Sequence, residues 1–196
     1  MVDVIVCGVG GQGVLLLAEI LGTAALKSGL DARVSEIHGM AQRGGSVICH
    51  VRASRAVHAP TLLDGGADVL IALEPVEALR AIRFVSSRTL ALVSLRSIRP
   101  VLVSLGFSSY PDISQVKAML KASVGQAIFV DALKLAEEAG SPLVQNVVMA
   151  GALSATGVFP VQKEDMLSTI EELVPEKYLA ANLRAFELGE KAIRGS

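Results

Sequence analysis

The sequence predicts an α/β fold: three layers, α/β/α, around a mainly parallel Rossmann-like sheet, with a helical C-terminal part over about 141–196. Short apolar runs rich in β-branched residues alternate with helical patterns from residue 2 to about residue 139. The first run, Val2 to Cys7, is nearly continuous in apolar residues, as a strand covered on both faces requires. It leads into Gly8-Val9-Gly10-Gly11-Gln12-Gly13, and then into an apolar helical stretch, Val14 to Leu26. No hinge, repeat or low-complexity segment divides the chain, so its 196 residues read as one domain, 1–196.

The elements follow in order. Val2 to Cys7 is a strand and Val14 to Ser28 a helix, stopped by Gly29. Ala32 to Ile37 is a second strand, completing a βαβ unit with a right-handed crossover. Ser46 to Arg52 alternates like a strand, and Asp68 to Leu73 is a short apolar one. Glu74-Pro75 starts a helix to about Arg83, where proline suits the first turn. Thr89 to Leu95 is a strand, and Val101 to Leu105 reads as a short further strand. Asp112 caps a helix to about Ser123, with Ile113, Val116, Met119 and Leu120 on one face. Ala127 to Val130 is the last strand, and Asp131 to Ala139 is helical, ending at Gly140. Three helices close the chain: Val144 to Thr156, Glu164 to Val174 and Glu176 to Ile193. Gly151 and Ala155 allow the first of them to pack closely.

Composition narrows the function classes. Apolar residues make up 52% and charged ones 19%, with no tryptophan, which suits either an alanine-rich core or a surface covered by a partner. The formal net charge of −1 gives no basic field for nucleic acid or a membrane surface. No apolar run reaches the roughly 18 residues that span a bilayer. The N-terminal residues lack the pattern of a signal peptide. Cys7 and Cys49 lie inside apolar runs and read as small buried hydrophobes in a reducing cytoplasm. Two cysteines alone cannot build an iron–sulfur or zinc site.

The candidate site is a pair of glycine loops. Gly8, Gly10 and Gly13 fit the dinucleotide pattern G-x-G-x-x-G, and Glu36 stands about 20 residues on, where a ribose-binding acid belongs. That supports a stand-alone NAD-binding Rossmann oxidoreductase as one reading. A second loop follows: His38-Gly39-Met40-Ala41-Gln42-Arg43-Gly44-Gly45. In a βαβ unit both strands end at the same sheet edge, so the two loops are expected to meet there. Arg43 brings five donors suited to carboxylate or phosphate. Gly44 and Gly45 allow a backbone nest, and His38 adds a titratable donor. A dehydrogenase has no need of an arginine and two glycines after its second strand, and Glu36 would repel the 2′-phosphate of NADP. The candidate binding residues are therefore Gly8, Gly10, Gly11, Gln12, Gly13, Glu36, His38, Gln42, Arg43, Gly44 and Gly45, facing an anion or a partner. Each side chain also has a plainer reading. Arg43 would pair with a surface carboxylate, His38 would bond a loop carbonyl, and Gln12 would sit in solvent on a first helical turn. No Ser/His/Asp order, HExxH, CxxC or Walker lysine motif appears, so no catalytic residue and no metal ligand is assigned.

These residues resemble a known family. The first glycine turn, Glu36-Ile37-His38-Gly39 and Gln42-Arg43-Gly44-Gly45-Ser46-Val47 are similar to the gamma-type domain of 2-oxoacid:ferredoxin oxidoreductases. They are closest to the beta (small) subunit of the indolepyruvate enzymes. The likeness continues through Ala72-Leu73-Glu74-Pro75-Val76-Glu77-Ala78-Leu79, Asn146-Val147-Val148-Met149, Val174-Pro175-Glu176-Lys177 and Asn182-Leu183-Arg184-Ala185-Phe186. It implies a holoenzyme that oxidatively decarboxylates an aryl pyruvate, joins the acyl group to coenzyme A and passes electrons to ferredoxin. It implies further that thiamine diphosphate and the iron–sulfur clusters sit in a large partner subunit. The small subunit then completes the assembly, its glycine crevice facing coenzyme A or that partner. Isolated, such a chain is expected to be inactive, and a purely structural module that dimerises through its apolar surface is a third reading. Ser94-Leu95-Arg96-Ser97-Ile98-Arg99-Pro100 departs from the family pattern, which often has an Asn-Thr pair and prolines there.

Overall fold

A computed structural model describes residues 1–40 and 43–195. Six strands form one sheet: β1 (Val2–Val9), β2 (Asp31–His38), β3 (Ser46–Ser54), β4 (Val69–Ala72), β5 (Leu90–Ser94) and β6 (Gln126–Val130). Their spatial order is β2-β3-β1-β4-β5-β6. β1, β4, β5 and β6 are mutually parallel, whereas β3 runs antiparallel to both of its neighbours. The expected α/β fold with a mostly parallel sheet is present.

One expectation is corrected. β1 and β2 do not form a neighbouring βαβ pair, because β3 lies between them: Val6 faces Cys49, and Cys49 faces Glu36 on its other side. The physical reason is loop length. A parallel crossover needs roughly a dozen or more residues, and the connection over 39–45 is too short for one. β3 must therefore return beside β2 as a hairpin partner, and it becomes the strand that meets β1.

The helices are α1 (Val14–Lys27), α2 (Pro75–Arg80), α3 (Val101–Ser104), α4 (Ile113–Ser123), α5 (Ala132–Glu138), α6 (Gln145–Thr156), α7 (Lys163–Leu173) and α8 (Glu176–Arg194). α1, α5, α6, α7 and α8 build one apolar layer, which takes Val4 and Val6 from β1. α2 and α4 build the other, which takes Ile5 and Cys7. Alternate residues of β1 thus enter opposite layers, which is why the strand reads as an unbroken apolar run. Each large aliphatic or aromatic side chain so buried, Leu17 or Phe186 for example, contributes roughly 1.5–3 kcal/mol.

A second expectation fails at Val101–Leu105. The β-branched residues suggested a strand, but the segment is the short helix α3, begun at Pro100 and ended by Gly106 at φ +79°. It pairs with no strand, and Val101, Leu102, Leu105 and Phe107 are all exposed. The predicted Asp112 cap is present: Ser114 donates to its carboxylate, and Gln115 returns a bond to the Asp112 N–H. The C-terminal helices cross at very short range. A Cβ added to Gly151 would lie 2.0 Å from the Phe186 carbonyl oxygen, and one added to Gly189 would lie 2.0 Å from that of Val148.

Candidate functional site

The two glycine loops meet at the C-terminal edge of β1. The Gly10 N–H donates to the Gly45 carbonyl at 2.8 Å, and the Gly44 N–H donates to the Gly10 carbonyl at 3.2 Å. They meet although β1 and β2 are not neighbours. β2 keeps the direction of β1, and antiparallel β3 starts where β2 ends, so the hairpin tip returns to the same edge.

The first turn is shaped by its glycines. Gly11 has φ +103° and Gly13 φ +80°, values that residues with a Cβ rarely adopt. Gly11 is exposed and a Cβ there would meet nothing, so the backbone of the turn is open to a ligand. Gly13 is the N-cap of α1, whose first N–H groups carry partial positive charge. Gly8 is packed underneath: a Cβ there would approach Val14 Cγ2 to 2.9 Å. Between turn and hairpin lies a cleft of about 550 Å³, lined by Gly10, Gly11, Gly13, Leu15, His38 and Val47 among others.

The predicted side chains divide. His38 reaches the cleft wall, is exposed, and its Nδ1 lies 3.2 Å from the Gly39 carbonyl. Arg43 is exposed beside the cleft rather than lining it, and it forms no ion pair among the described residues. Gln42 lies outside the described residues. Gln12 turns inward instead of facing solvent. Its Oε1 accepts from the Val9 N–H at 2.7 Å and its Nε2 donates to the Leu73 carbonyl at 2.8 Å. It is a strut between the turn and the end of β4, with both polar atoms committed. Glu36 is separated from β1 by the whole of β3. It lines a different groove with Leu15, Glu19, Leu26, Val34 and Cys49, so it does not occupy the ribose position of a dinucleotide fold.

Sequence reasoning missed a buried acid pair on the other face of this edge. Glu74 caps α2 by accepting from the Val76 and Glu77 N–H groups at 2.7 and 2.9 Å. Its second oxygen accepts from the Ile98 N–H and from the Tyr110 hydroxyl. Glu77 accepts from the Ser46 hydroxyl, at the foot of the second glycine loop, and from Arg80. Burial raises the Glu77 carboxyl above the ordinary glutamate value, and the nearby Glu74 adds to this. Burial and the bond to Glu74 push Tyr110 up to about 12. Two glutamates three residues apart, Glu74 and Glu77, at a Glu-Pro helix start were the available signal. These acids pin the second loop and the segment before α4 to one helix end.

The two cysteines face opposite layers of the core, and burial raises both thiols, Cys49 to about 12. They cannot ligate one cluster together. Among the described residues, no group of three or more His, Cys, Asp or Glu is placed to hold a metal ion, and no helix is long and apolar enough to cross a membrane.

Comparison with known proteins agrees with the geometry. The chain is 44% identical to indolepyruvate oxidoreductase subunit IorB of Thermococcus kodakarensis, over 98% of this chain and 96% of that protein. Its fold matches the gamma subunit of a keto/oxoacid ferredoxin oxidoreductase from Geobacter sulfurreducens, with a TM-score of 0.72, 24% identity and all of both chains covered. It also matches part of a 2-oxoglutarate:ferredoxin oxidoreductase from Magnetococcus marinus, whose structure holds 2-oxoglutarate, coenzyme A and succinyl-CoA. There the TM-score is 0.74 at 20% identity, covering all of this chain and 31% of that one. Residues 3–192 match the family described as pyruvate ferredoxin/flavodoxin oxidoreductase. With a relative this similar over its whole length and a family match from one end of the described fold to the other, the chain belongs to the pyruvate ferredoxin/flavodoxin oxidoreductase family.

Proposed function

We propose that this chain is the small subunit of an indolepyruvate (arylpyruvate):ferredoxin oxidoreductase. It supports the oxidative decarboxylation of aryl pyruvates to aryl-acetyl-CoA, with electrons passed to ferredoxin. The observation that carries this reading is the 44% identity to an indolepyruvate oxidoreductase subunit across almost the whole of both chains. The site agrees with a supporting role. It offers backbone donors and an open cleft, and among the described residues no group of His, Cys, Asp or Glu is placed to hold a metal ion. Thiamine diphosphate and the iron–sulfur clusters belong, in this reading, to a large partner subunit that also meets ferredoxin. The assembly works in the cytoplasm, where Cys7 and Cys49 stay reduced.

The anion held at the cleft is the diphosphate of coenzyme A, whose thiol takes up the acyl group. The residues present fit that group. Gly11 leaves the backbone approachable, the first N–H groups of α1 favour negative charge, and Arg43 stands beside the cleft with its guanidinium unpaired among the described residues. The exposed apolar side chains of Val101, Leu102, Leu105 and Phe107 suit contact with the large subunit. They would also let the isolated chain form a homodimer. The NAD-binding alternative loses its main support with Glu36 removed from the first turn.

Co-expression with the large subunit tests the assignment. A stable complex that oxidises indolepyruvate only when coenzyme A is supplied is the expected result. Two chains that purify separately, with no such activity on mixing, would overturn it.

A further inference from the structure

Residues 95–111 leave the C-terminal end of β5 and carry the barest helix of the fold. None of the four residues of α3 is buried, and its main-chain bonds stay within residues 100–107. A single turn so placed draws no stability from packing beneath it. It is nevertheless held on both sides. The Ile98 N–H donates to Oε1 of Glu74 at 3.3 Å, and the Tyr110 hydroxyl donates to the same oxygen. Glu74 is 1% exposed and fixed at the start of α2. The fold thus commits a buried carboxylate to holding out a turn that buries no residue of its own.

What the turn presents has a definite chemistry. Val101, Leu102 and Leu105 are 72%, 60% and 62% exposed, and spacings of three and four residues put them on one helix face. Phe107, 78% exposed, follows directly. Arg96 and Arg99 precede the helix, and residues 95–111 contain no other charged side chain. Neither guanidinium has an ion pair or a hydrogen bond among the described residues. The acids that flank the segment are occupied. Glu74 accepts from Val76, Glu77, Ile98 and Tyr110, and Asp112 caps α4. The surface is therefore apolar with an uncompensated positive edge.

We propose that α3 and its two arginines are a plug for the large partner subunit, entering an apolar groove there that is rimmed by carboxylates. The proposal rests on the reading of this chain as a small subunit, and it adds the chemistry of the surface that the subunit meets. Charge decides between occupants. A second copy docking about a two-fold axis would meet the patch with the same patch, setting arginine toward arginine. Self-association here is opposed at low salt and gains only as salt screens the repulsion. A carboxylate-rimmed groove has the opposite dependence, with its attraction greatest at low salt. The two kinds of side chain then divide the work of binding. Arginines at the rim speed encounter, and the apolar face, once desolvated, slows release.

Binding kinetics of the full chain on the immobilised large subunit are the test. Arg96→Glu with Arg99→Glu should slow association at least tenfold at about 0.05 M salt, and the gap from wild type should close toward about 0.5 M. Leu102→Ser with Phe107→Ser should instead speed dissociation at least tenfold. Both of those side chains are exposed, so the melting temperature should not move. Arginine variants that associate as fast as wild type at low salt, or serine variants that dissociate no faster, would overturn the proposal. Two model helical peptides probe the surface without the large subunit. They share one leucine stripe, flanked by Glu in the first and by Lys in the second. The wild-type chain should prefer the Glu peptide at least tenfold, and Arg96→Glu with Arg99→Glu should erase that preference. No preference in the wild type would overturn the docking chemistry even where the subunits assemble. A large subunit that never binds, beside a clear peptide preference, would remove the subunit assignment and leave the docking chemistry standing.

Discussion

The Ser46 hydroxyl donates to the Glu77 carboxylate across the sheet edge, tying the foot of the second glycine loop to the first turn of α2. The carboxyl is raised above its ordinary value chiefly by burial, although Ser46 and Arg80 pull it down. A folded-state value above the unfolded one means that the folded protein holds this proton more tightly. The group's contribution is full below the ordinary glutamate range and is lost as pH rises through the raised value. In urea unfolding between about pH 4 and 8, Glu77→Gln should therefore gain on the wild type as pH increases. Parallel pH curves for the two proteins would refute this.

Gln12 is a structural strut, so Gln12→Ala should act on stability before it acts on binding. The change strands the Val9 N–H and the Leu73 carbonyl in a buried place, at about 1–3 kcal/mol for each orphaned group. Chemical denaturation measures it. A variant that melts like the wild type would mean that water or a neighbour replaces both bonds.

Gly11 and Gly13 should respond unequally to alanine. At Gly11 the new Cβ meets nothing, so the cost is backbone strain alone, about 1–3 kcal/mol. At Gly13 the same strain is joined by a clash, since the Cβ would lie 2.5 Å from Asn146 Nδ2. Thermal melts should rank wild type above Gly11→Ala above Gly13→Ala.

The crossing of α6 and α8 gives the steepest prediction. At Gly151 and Gly189 the obstacle is backbone on the facing helix, which cannot rotate away as a side chain can. Overpacking typically costs 1–3 kcal/mol, and here about 3 kcal/mol or more is expected for either alanine. Both variants should lose most of their soluble yield, and any that folds should show a clearly lower denaturation midpoint.

Arg43→Ala should leave the melting temperature unchanged, because the side chain is exposed and unpaired among the described residues. In the assembled enzyme it should raise KM for coenzyme A about ten- to a hundredfold, the worth of one charge-assisted hydrogen bond. An unchanged KM would remove Arg43 from the site.

Much of the fold was legible because its signals are local. The apolar run of β1, the Gly29 stop, the Asp112 cap and the Glu74-Pro75 start each depend on a few adjacent residues. The direction of β3 was harder to read, because strand periodicity is the same in either sense. The short connection over 39–45 was the clue, since it cannot make a parallel crossover. α3 was misread because β-branched residues in an exposed turn look like those in a strand. At the site, the meeting of the loops followed from strand direction. The inward turn of Gln12 and the pairing of Ser46 with Glu77 are long-range contacts, |i−j| of 61 and 31, and no local pattern encodes them.

The bonds that hold the hairpin tip against the first turn run between main-chain atoms of Gly10, Gly44 and Gly45. Main-chain groups are common to every residue, so the exposed side chains carried by that tip, Met40 and Arg43, contribute nothing to its attachment. Ligand preference and foldability are therefore written in different atoms. Natural variation at the tip can retune what the cleft accepts while the clasp beneath it stays shut.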